Sequence, residues 1–264
     1  MNALLSELAL AMRQVGAKVL QCREAGNTGG KWEGSQFKAA ADLIADESLR
    51  NELRRLADIP IVSEEDVSSQ TAERPAQYWL IDPIDGTASF AGGFAGFVCQ
   101  AAWMEDGRPR LAAVYAPALE RLYLAEHGRG ATVNGLPIGV RSFDRQRLTL
   151  VDNYPDPRGI ACRLFRDLRF ANYLESGSIG LKICLVADGT ADVFAKDVCV
   201  RDWDVAAPHL VLKEAGGVLA QCTGQTFAYQ GGYEKHGLVA ASSPTLLHKV
   251  CDLAAGYGRD VRLT

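Results

Sequence analysis

No stretch of this sequence approaches the roughly 18 consecutive apolar residues that a membrane-spanning helix requires. Its first run, MNALLSELALAMRQVGAKVLQCREAG, is interrupted by Glu7 and Arg13, while Leu4, Leu8, Ala11, Met12, Val15 and Val19 recur at helical spacing. That is the pattern of an amphipathic helix, not of a signal peptide. A block of lysine and arginine is also missing: 28 basic residues against 32 acidic ones leave a formal net charge of −4. Nucleic acid and anionic membrane surfaces therefore find no electrostatic footprint, and a small anion would be drawn locally, by a metal. The seven cysteines are odd in number and show no CxxC spacing. They are expected to be reduced thiols of a cytoplasmic chain, mostly small core filler.

Several chemistries fail for lack of one residue. The four histidines, His127, His209, His236 and His248, form no HExxH or HxxxH pair, which argues against a histidine-based zinc site. SGSIG, Ser176 to Gly180, has serine where a GxSxG nucleophile elbow needs glycine. GRGATVNG lacks the GxGxxG spacing and the following helix of a dinucleotide fingerprint. Neither an internal repeat nor a low-complexity tract nor a Pro/Gly/Ser-rich linker divides the chain.

What is present is an ordinary globular composition, 48% hydrophobic and 23% charged over 264 residues, enough for one large domain or two smaller ones. After the first helix, Asn27 to Gly34 reads as a loop, and FKAAADLIADESLRNELRRLAD reads as a second helix with Ala39, Leu43, Leu49, Leu53 and Leu56 inward. GFVCQAAWM, RLAAVYAP and RLYLAE are spaced like an antiparallel meander, and NGLPI adds a hairpin turn. Beyond Arg147, strand-like LTLVDN and GGVLAQ alternate with the helical WDVAAPHLVLKEAG, the pattern of a mixed α/β half. A boundary is expected near residue 145, giving halves 1–145 and 146–264.

Acidic residues carry the remaining signal. In WLIDPIDGT, Trp79 to Thr87, a strand-like run meets Pro83, so Asp82 and Asp85 are expected on a turn at a strand end. Two anions held that close need a shared proton or a cation between them. Glu64 and Glu65 follow the apolar IPIVS, and Asp204 stands at a helix start that Gly216 or Gly217 closes. Each alone reads equally well as a solvated turn or a helix cap. Together they form an oxygen-only set that suits Mg²⁺, where zinc would want histidine or cysteine.

These motifs resemble the inositol monophosphatase superfamily of Mg²⁺-dependent, Li⁺-sensitive phosphatases. The resemblance lies in Glu64-Glu65 after a strand, WLIDPIDGTASF, GRGATVNGLPI and WDVAAPHLVLKEAGG, in that order, and runs from about Lys31 to Ala241. It implies a layered αβαβα sugar-phosphatase-like fold of α+β and α/β character, in which two N-terminal helices and an antiparallel sheet are followed by the mixed half. It also implies that Glu64, Asp82 and the carbonyl of Ile84 hold one metal. Asp82, Asp85 and Asp204 would hold a second, and a third, weaker ion would lean on Glu64. Asp42 in KAAAD would match the family's T-x-x-D aspartate and Lys31 a lysine near the third ion, although Q-F-K-A stands where S-P-V-T is usual. Thr87 and Glu64 would orient the attacking water, and the N–H groups of Gly86, Thr87 and Ala88 would face the phosphate.

Substrate cues conflict. SGSIGLKICLVADGTADVFAKD resembles the corresponding run of CysQ-like 3'(2'),5'-bisphosphate nucleotidases, which would place Gly177 and Ser178 beside the substrate and give Lys182 a second phosphate to attract. The usual Y-x-R-x-G, however, reads F-A-K-D-V. Asp197 falls where inositol monophosphatases place a hydroxyl-binding acid, which favours inositol or another sugar phosphate. A lysine on a helix after an SG loop is, however, as often a solvated charge. The expected function is a Mg²⁺-dependent phosphomonoesterase, a bisphosphate nucleotidase first and an inositol-1-monophosphatase second, cytoplasmic and able to form a homodimer. A metal-bound regulatory protein without catalysis is the remaining alternative.

Overall fold

A computed structural model of the chain describes residues 3–26, 29–33, 36–71 and 73–260, with the side chains of 31–33, 36–39 and 257–260 outside that description. Helix α1, Ala3–Glu24, buries Leu5, Leu8, Met12, Val15 and Val19. Strands β1, Gly30–Glu33, and β2, Gln36–Ala39, then pair antiparallel with Trp32 opposite Phe37 in the register. A loop and the start of a helix were the expectation for these residues; ladder pairing overrides the weak local helical preference. Helix α2, Ala40–Leu56, therefore starts later and turns Ala41, Asp42, Ala45, Leu49 and Leu53 inward, leaving Leu43 64% exposed rather than buried.

Strands β3 (Ile61–Ser63), β4 (Gln77–Asp85), β5 (Val98–Glu105), β6 (Arg108–Ala116), β7 (Arg121–Glu126), β8 (Ala131–Val133) and β9 (Leu136–Pro137) form one sheet in chain order. Short helix α3, Thr87–Ala91, interrupts it after β4. Only β3 and β4 run parallel among these neighbours. Asn134 and Gly135 link β8 to β9 with φ of 49° and 82°, the left-handed pair that a two-residue hairpin demands.

The second sheet has the order β11-β10-β12-β14-β13. Its strands and helices follow in sequence as β10 (Thr149–Asp152), α4 (Gly159–Asp167), β11 (Asn172–Glu175), α5 (Ile179–Ala187) and β12 (Val193–Arg201). Then come α6 (Asp202–Glu214), β13 (Val218–Ala220), β14 (Glu234–Ala241) and α7 (Pro244–Asp260). Strand β10 is parallel to both its neighbours, while β14 is antiparallel to β12 and β13.

Three apolar cores stack these elements as αβαβα. On one face of the first sheet, Trp79 and Ile81 pack with Leu8 and Leu49 of α1 and α2. On the other, Tyr78 and Leu80 join Leu181 and Leu210 of α5 and α6 and Phe194 of the second sheet. Leu164 and Leu246 of α4 and α7 cover Leu150 and Val239 on the far side. Strand β4 is thus apolar on both faces because both are covered, each fully buried large side chain contributing about 1.5–3 kcal/mol. The two sheets lie on either side of residues 138–148, but the middle core draws from both. All seven cysteines are free, four of them buried as core filler, whereas Cys162 and Cys199 are exposed. Among the described residues no helix is long and apolar enough to cross a membrane.

Candidate active site

Strand β4 does not stop at Pro83. It runs to Asp85 with a bulge, Asp82 pairing with Gln100 and Asp85 with Val98, and the extra residue absorbs a proline that has no N–H to give. Asp82 and Asp85 are therefore buried strand residues, not the turn residues the proline suggested. Gly86 follows with φ of 89°, a left-handed conformation open to glycine, and lets the chain turn into α3.

Neighbouring elements bring further oxygens to this bulge. Glu64 stands just past the end of β3, its N–H donating to the Ile81 carbonyl at 3.3 Å. Asp204, in the first turn of α6, accepts the Arg201 N–H at 2.7 Å, so the capping role is real and occupies one carboxylate oxygen. Carboxylate oxygens of Glu64, Asp82 and Asp204 lie within 4.8 Å of one another. Asp85 is held by N–H groups at the start of α5, Gly180 at 2.6 Å and Ile179 at 3.3 Å. Thr87 Oγ1 is 3.2 Å from Asp42 Oδ1 and 3.0 Å from the Ile84 carbonyl oxygen.

Burial, then the charges of Glu64, Asp85, Asp204 and Asp42, push the Asp82 carboxyl well above its usual range. Burial and the Glu64 and Asp85 charges do the same to Asp204. Asp85 is raised by burial, against the opposing Gly180 N–H and the Lys182 charge. Such mutual repulsion is relieved by a cation. Among the described residues Asp82 Oδ1 is buried without a hydrogen-bond partner, as a ligand oxygen would be, and every donor here is oxygen. The residues fit a hard divalent ion. They line a cavity of about 650 Å³ that also includes Gly86, Thr87, Ala88 and Ile179.

The other expected residues are placed less simply. The Lys31 side chain lies outside the described residues. Gly177 and Ser178 are buried beneath the cavity wall, where Ser178 Oγ caps α5 by accepting the Leu181 N–H at 3.0 Å. Lys182 is completely buried rather than solvated, with its Nζ on Asn153 and the Gly177 carbonyl, so it faces no ligand in the cavity. Asp197 is exposed but off the wall; a bulge in β12 between Lys196 and Cys199 leaves Val198 and Cys199 lining the cavity instead. Two polar residues were not foreseen. Arg201, bonded to Glu234 at 2.8 Å, places a cation on the wall, and Gln100 is fully buried with both amide atoms unpartnered among the described residues. Neither carries a local signal: arginine is not a preferred helix-cap residue, and Gln100 sits within a buried strand run.

Comparison with known proteins gives the chain its family and its structural neighbours. The model of the inositol monophosphatase family matches residues 2–257. The chain is 34% identical over 200 residues to the 3'(2'),5'-bisphosphate nucleotidase CysQ of Salmonella typhimurium, covering 72% of this chain and 78% of that protein. It is 30% identical over 191 residues to the Nus factor SuhB of Vibrio cholerae, covering 70% and 69%. The crystal structure of the extragenic suppressor protein suhB from Bartonella henselae superposes with a TM-score of 0.81 at 22% identity, covering 96% of this chain and 98% of that one. A family match over nearly the whole length and a relative more than 30% identical over most of both chains agree, and this chain belongs to the inositol monophosphatase family.

Proposed function

We propose that this phosphatase is a Mg²⁺-dependent 3'(2'),5'-bisphosphate nucleotidase, converting adenosine 3',5'-bisphosphate to AMP and phosphate in the cytoplasm. The observation that carries the substrate assignment is the cavity wall at the β12 bulge. Apolar Val198 and the Cys199 thiol stand there, with Arg201 beyond them, while Asp197 is off the wall. A nucleoside with a second phosphate suits that surface better than a polyol, whose hydroxyls need acceptors. The likeness to CysQ proteins supports the same choice, and seven free cysteines support a reducing compartment.

Glu64, Asp82, the Ile84 carbonyl, Asp85 and Asp204 would hold two Mg²⁺ ions, with a third near Glu64. When bound, these ions supply Lewis-acid stabilisation of the phosphoryl charge and make water more acidic. The chain's own groups do the rest. Thr87 has one hydroxyl proton, shared between Asp42 and the Ile84 carbonyl, so its lone pairs remain to accept a hydrogen bond from the attacking water and aim it. Glu64 would help Thr87 to orient that water. Gly86, Thr87 and Ala88 form the wall against which the phosphate rests.

Burial of Lys182 favours a second reading, inositol-1-monophosphatase, because it removes one cation from those available to a second phosphate. Phosphate release measured with both substrates decides between them. A kcat/KM for adenosine 3',5'-bisphosphate at least about tenfold above that for inositol 1-phosphate, roughly 1.4 kcal/mol of transition-state binding, is the expected result. A preference for inositol 1-phosphate that disappears in Asp197→Ala would overturn it.

A further inference from the structure

A charged group lies behind the cavity with no part in the chemistry above. Lys182, on α5, is 0% exposed. Its Nζ donates to Asn153 Oδ1 at 2.5 Å, just past the end of β10, and to the Gly177 carbonyl. The Phe194 ring centroid is 4.9 Å away. Lys196 packs alongside, 3.0 Å from Asp152 Oδ1 and 3.2 Å from the same Asn153 oxygen. Burial and the Lys196 charge push the Lys182 ammonium down to about 7, with Asp85 and Asp152 opposing. An ammonium in such surroundings is sustained by the acceptors it reaches, so the lysine and its two oxygens form one unit.

Gly177 is the pivot of that unit. It approaches Gly96 so closely that a Cβ would stand 2.0 Å from the Gly96 carbonyl oxygen. The next N–H, of Ser178, donates to this oxygen at 2.6 Å. The two after that, of Ile179 and Gly180, hold the Asp85 carboxylate. One end of a short turn is therefore gripped from inside by Lys182, and its other end presents two donors to a carboxylate of the site.

We infer that Lys182 is a positioning residue of this phosphatase: by holding the Gly177 carbonyl from within, it fixes the 177–180 turn so that the Ile179 and Gly180 N–H groups keep Asp85 in its cation-binding orientation. The inference rests on the proposed role of Asp85 as a metal ligand. It assigns the lysine a role that needs no substrate contact, which a fully buried ammonium makes only by leaving both its acceptors.

Amide hydrogen exchange on the metal-free protein and Mg²⁺ titration calorimetry, for the parent, Lys182→Met and Asn153→Ala, test it. Lys182→Met keeps the aliphatic volume and drops the ammonium. Amides of 178–181 should exchange at least about tenfold faster while those of β5 are unchanged. Mg²⁺ should bind about tenfold more weakly, as when other supports of a metal ligand are removed. Asn153→Ala, which frees the ammonium from β10, should shift both readouts the same way by less, and it carries the test should Lys182→Met fail to fold. Unchanged exchange and unchanged Mg²⁺ affinity in a folded variant overturn the proposal. So does a loss of bisphosphate affinity with exchange unchanged, which would make the lysine a direct phosphate contact. Asp85→Asn separates the two layers: if it leaves Mg²⁺ affinity intact, the ligand role of Asp85 has failed, while the exchange data still report whether Lys182 holds the turn.

Discussion

Thr87 Oγ1 lies 3.2 Å from Asp42 Oδ1, joining the first turn of α3 to the first turn of α2. The helix cap here is Gly86, with no side-chain capping bond, so Thr87 is not engaged as a cap. Its hydroxyl is held by Asp42 and the Ile84 carbonyl and stays in the cavity wall. Thr87→Val should lower kcat by about 10² or more with little change in Mg²⁺ affinity, and Thr87→Ser should recover most of it. Steady-state kinetics beside a Mg²⁺ titration check this; a kcat within threefold of the parent for Thr87→Val would remove the water-orienting role.

Asp82 supports an opposite-signed pair of effects. Its carboxylate is buried among Glu64, Asp85 and Asp204, whose charges disfavour its ionised form. Asp82→Asn keeps the shape and deletes the charge, so the metal-free protein should melt higher than the parent. Mg²⁺-dependent turnover should fall by about 10² or more, because Asp82 would be a ligand of the proposed metal site. Thermal melts with and without Mg²⁺ decide it, and near-normal turnover at saturating Mg²⁺ would dispose of the two-metal reading.

The same raised carboxyls set a pH dependence. Asp82 and Asp204 have folded pKa values above their unfolded value of 3.8. Between those limits the folded state binds more protons than the unfolded one. The stability they contribute is therefore complete below 3.8 and is lost as pH rises through the folded values. Metal-free protein should accordingly lose stability on this account as pH climbs from acid toward neutrality. Mg²⁺ competes with those protons, so the rise in Tm that it produces should be larger at pH 8 than at pH 5.5. Melts at both pH values, with and without saturating Mg²⁺, measure it, and an equal rise at both would mean that the ions do not seat on these carboxylates.

Most of the site was readable because its carboxylates sit at element ends that short-range chemistry marks: Glu64 after an apolar strand, Asp85 before a glycine, Asp204 in a helix first turn. The meander and the Asn134-Gly135 hairpin were readable for the same reason. What escaped depends on register and on three-dimensional neighbours. Leu43 faces solvent because α2 begins only after the β1–β2 hairpin, and Asp197 leaves the wall because one residue is inserted in β12. Lys182 is instructive: α5 is buried from Gly180 to Ala187, and its sequence IGLKICLVA is apolar on every side. A helix of that kind is enclosed, so a lysine within it is enclosed too.

The start of α6, which carries Asp204, is itself anchored by charge. Asp202 is 0% exposed, and Arg74 Nη2 reaches its Oδ2 at 2.5 Å while donating to the Gly231 and Gly232 carbonyls. The guanidinium stacks 4.1 Å over the Tyr233 ring centroid, and Lys235 Nζ stands 3.4 Å from Asp202 Oδ1. Burial raises the Asp202 carboxyl and Arg74, then Lys235, oppose that rise. Removing Arg74 leaves the buried carboxylate with Lys235 as its one cation, and breaking a buried pair from one side costs about 3–5 kcal/mol. Arg74→Met should therefore lower Tm by roughly 6–20 °C in a chain of this size, and weaken Mg²⁺ binding because Asp204 lies two residues from the loosened anchor. Arg74→Lys should retain part of both, lacking the fork that reaches carboxylate and carbonyls together. If Lys235 alone suffices, Arg74→Met will cost under about 1 kcal/mol and the full loss will appear only in the double variant with Lys235→Met, which a double-mutant cycle reads directly.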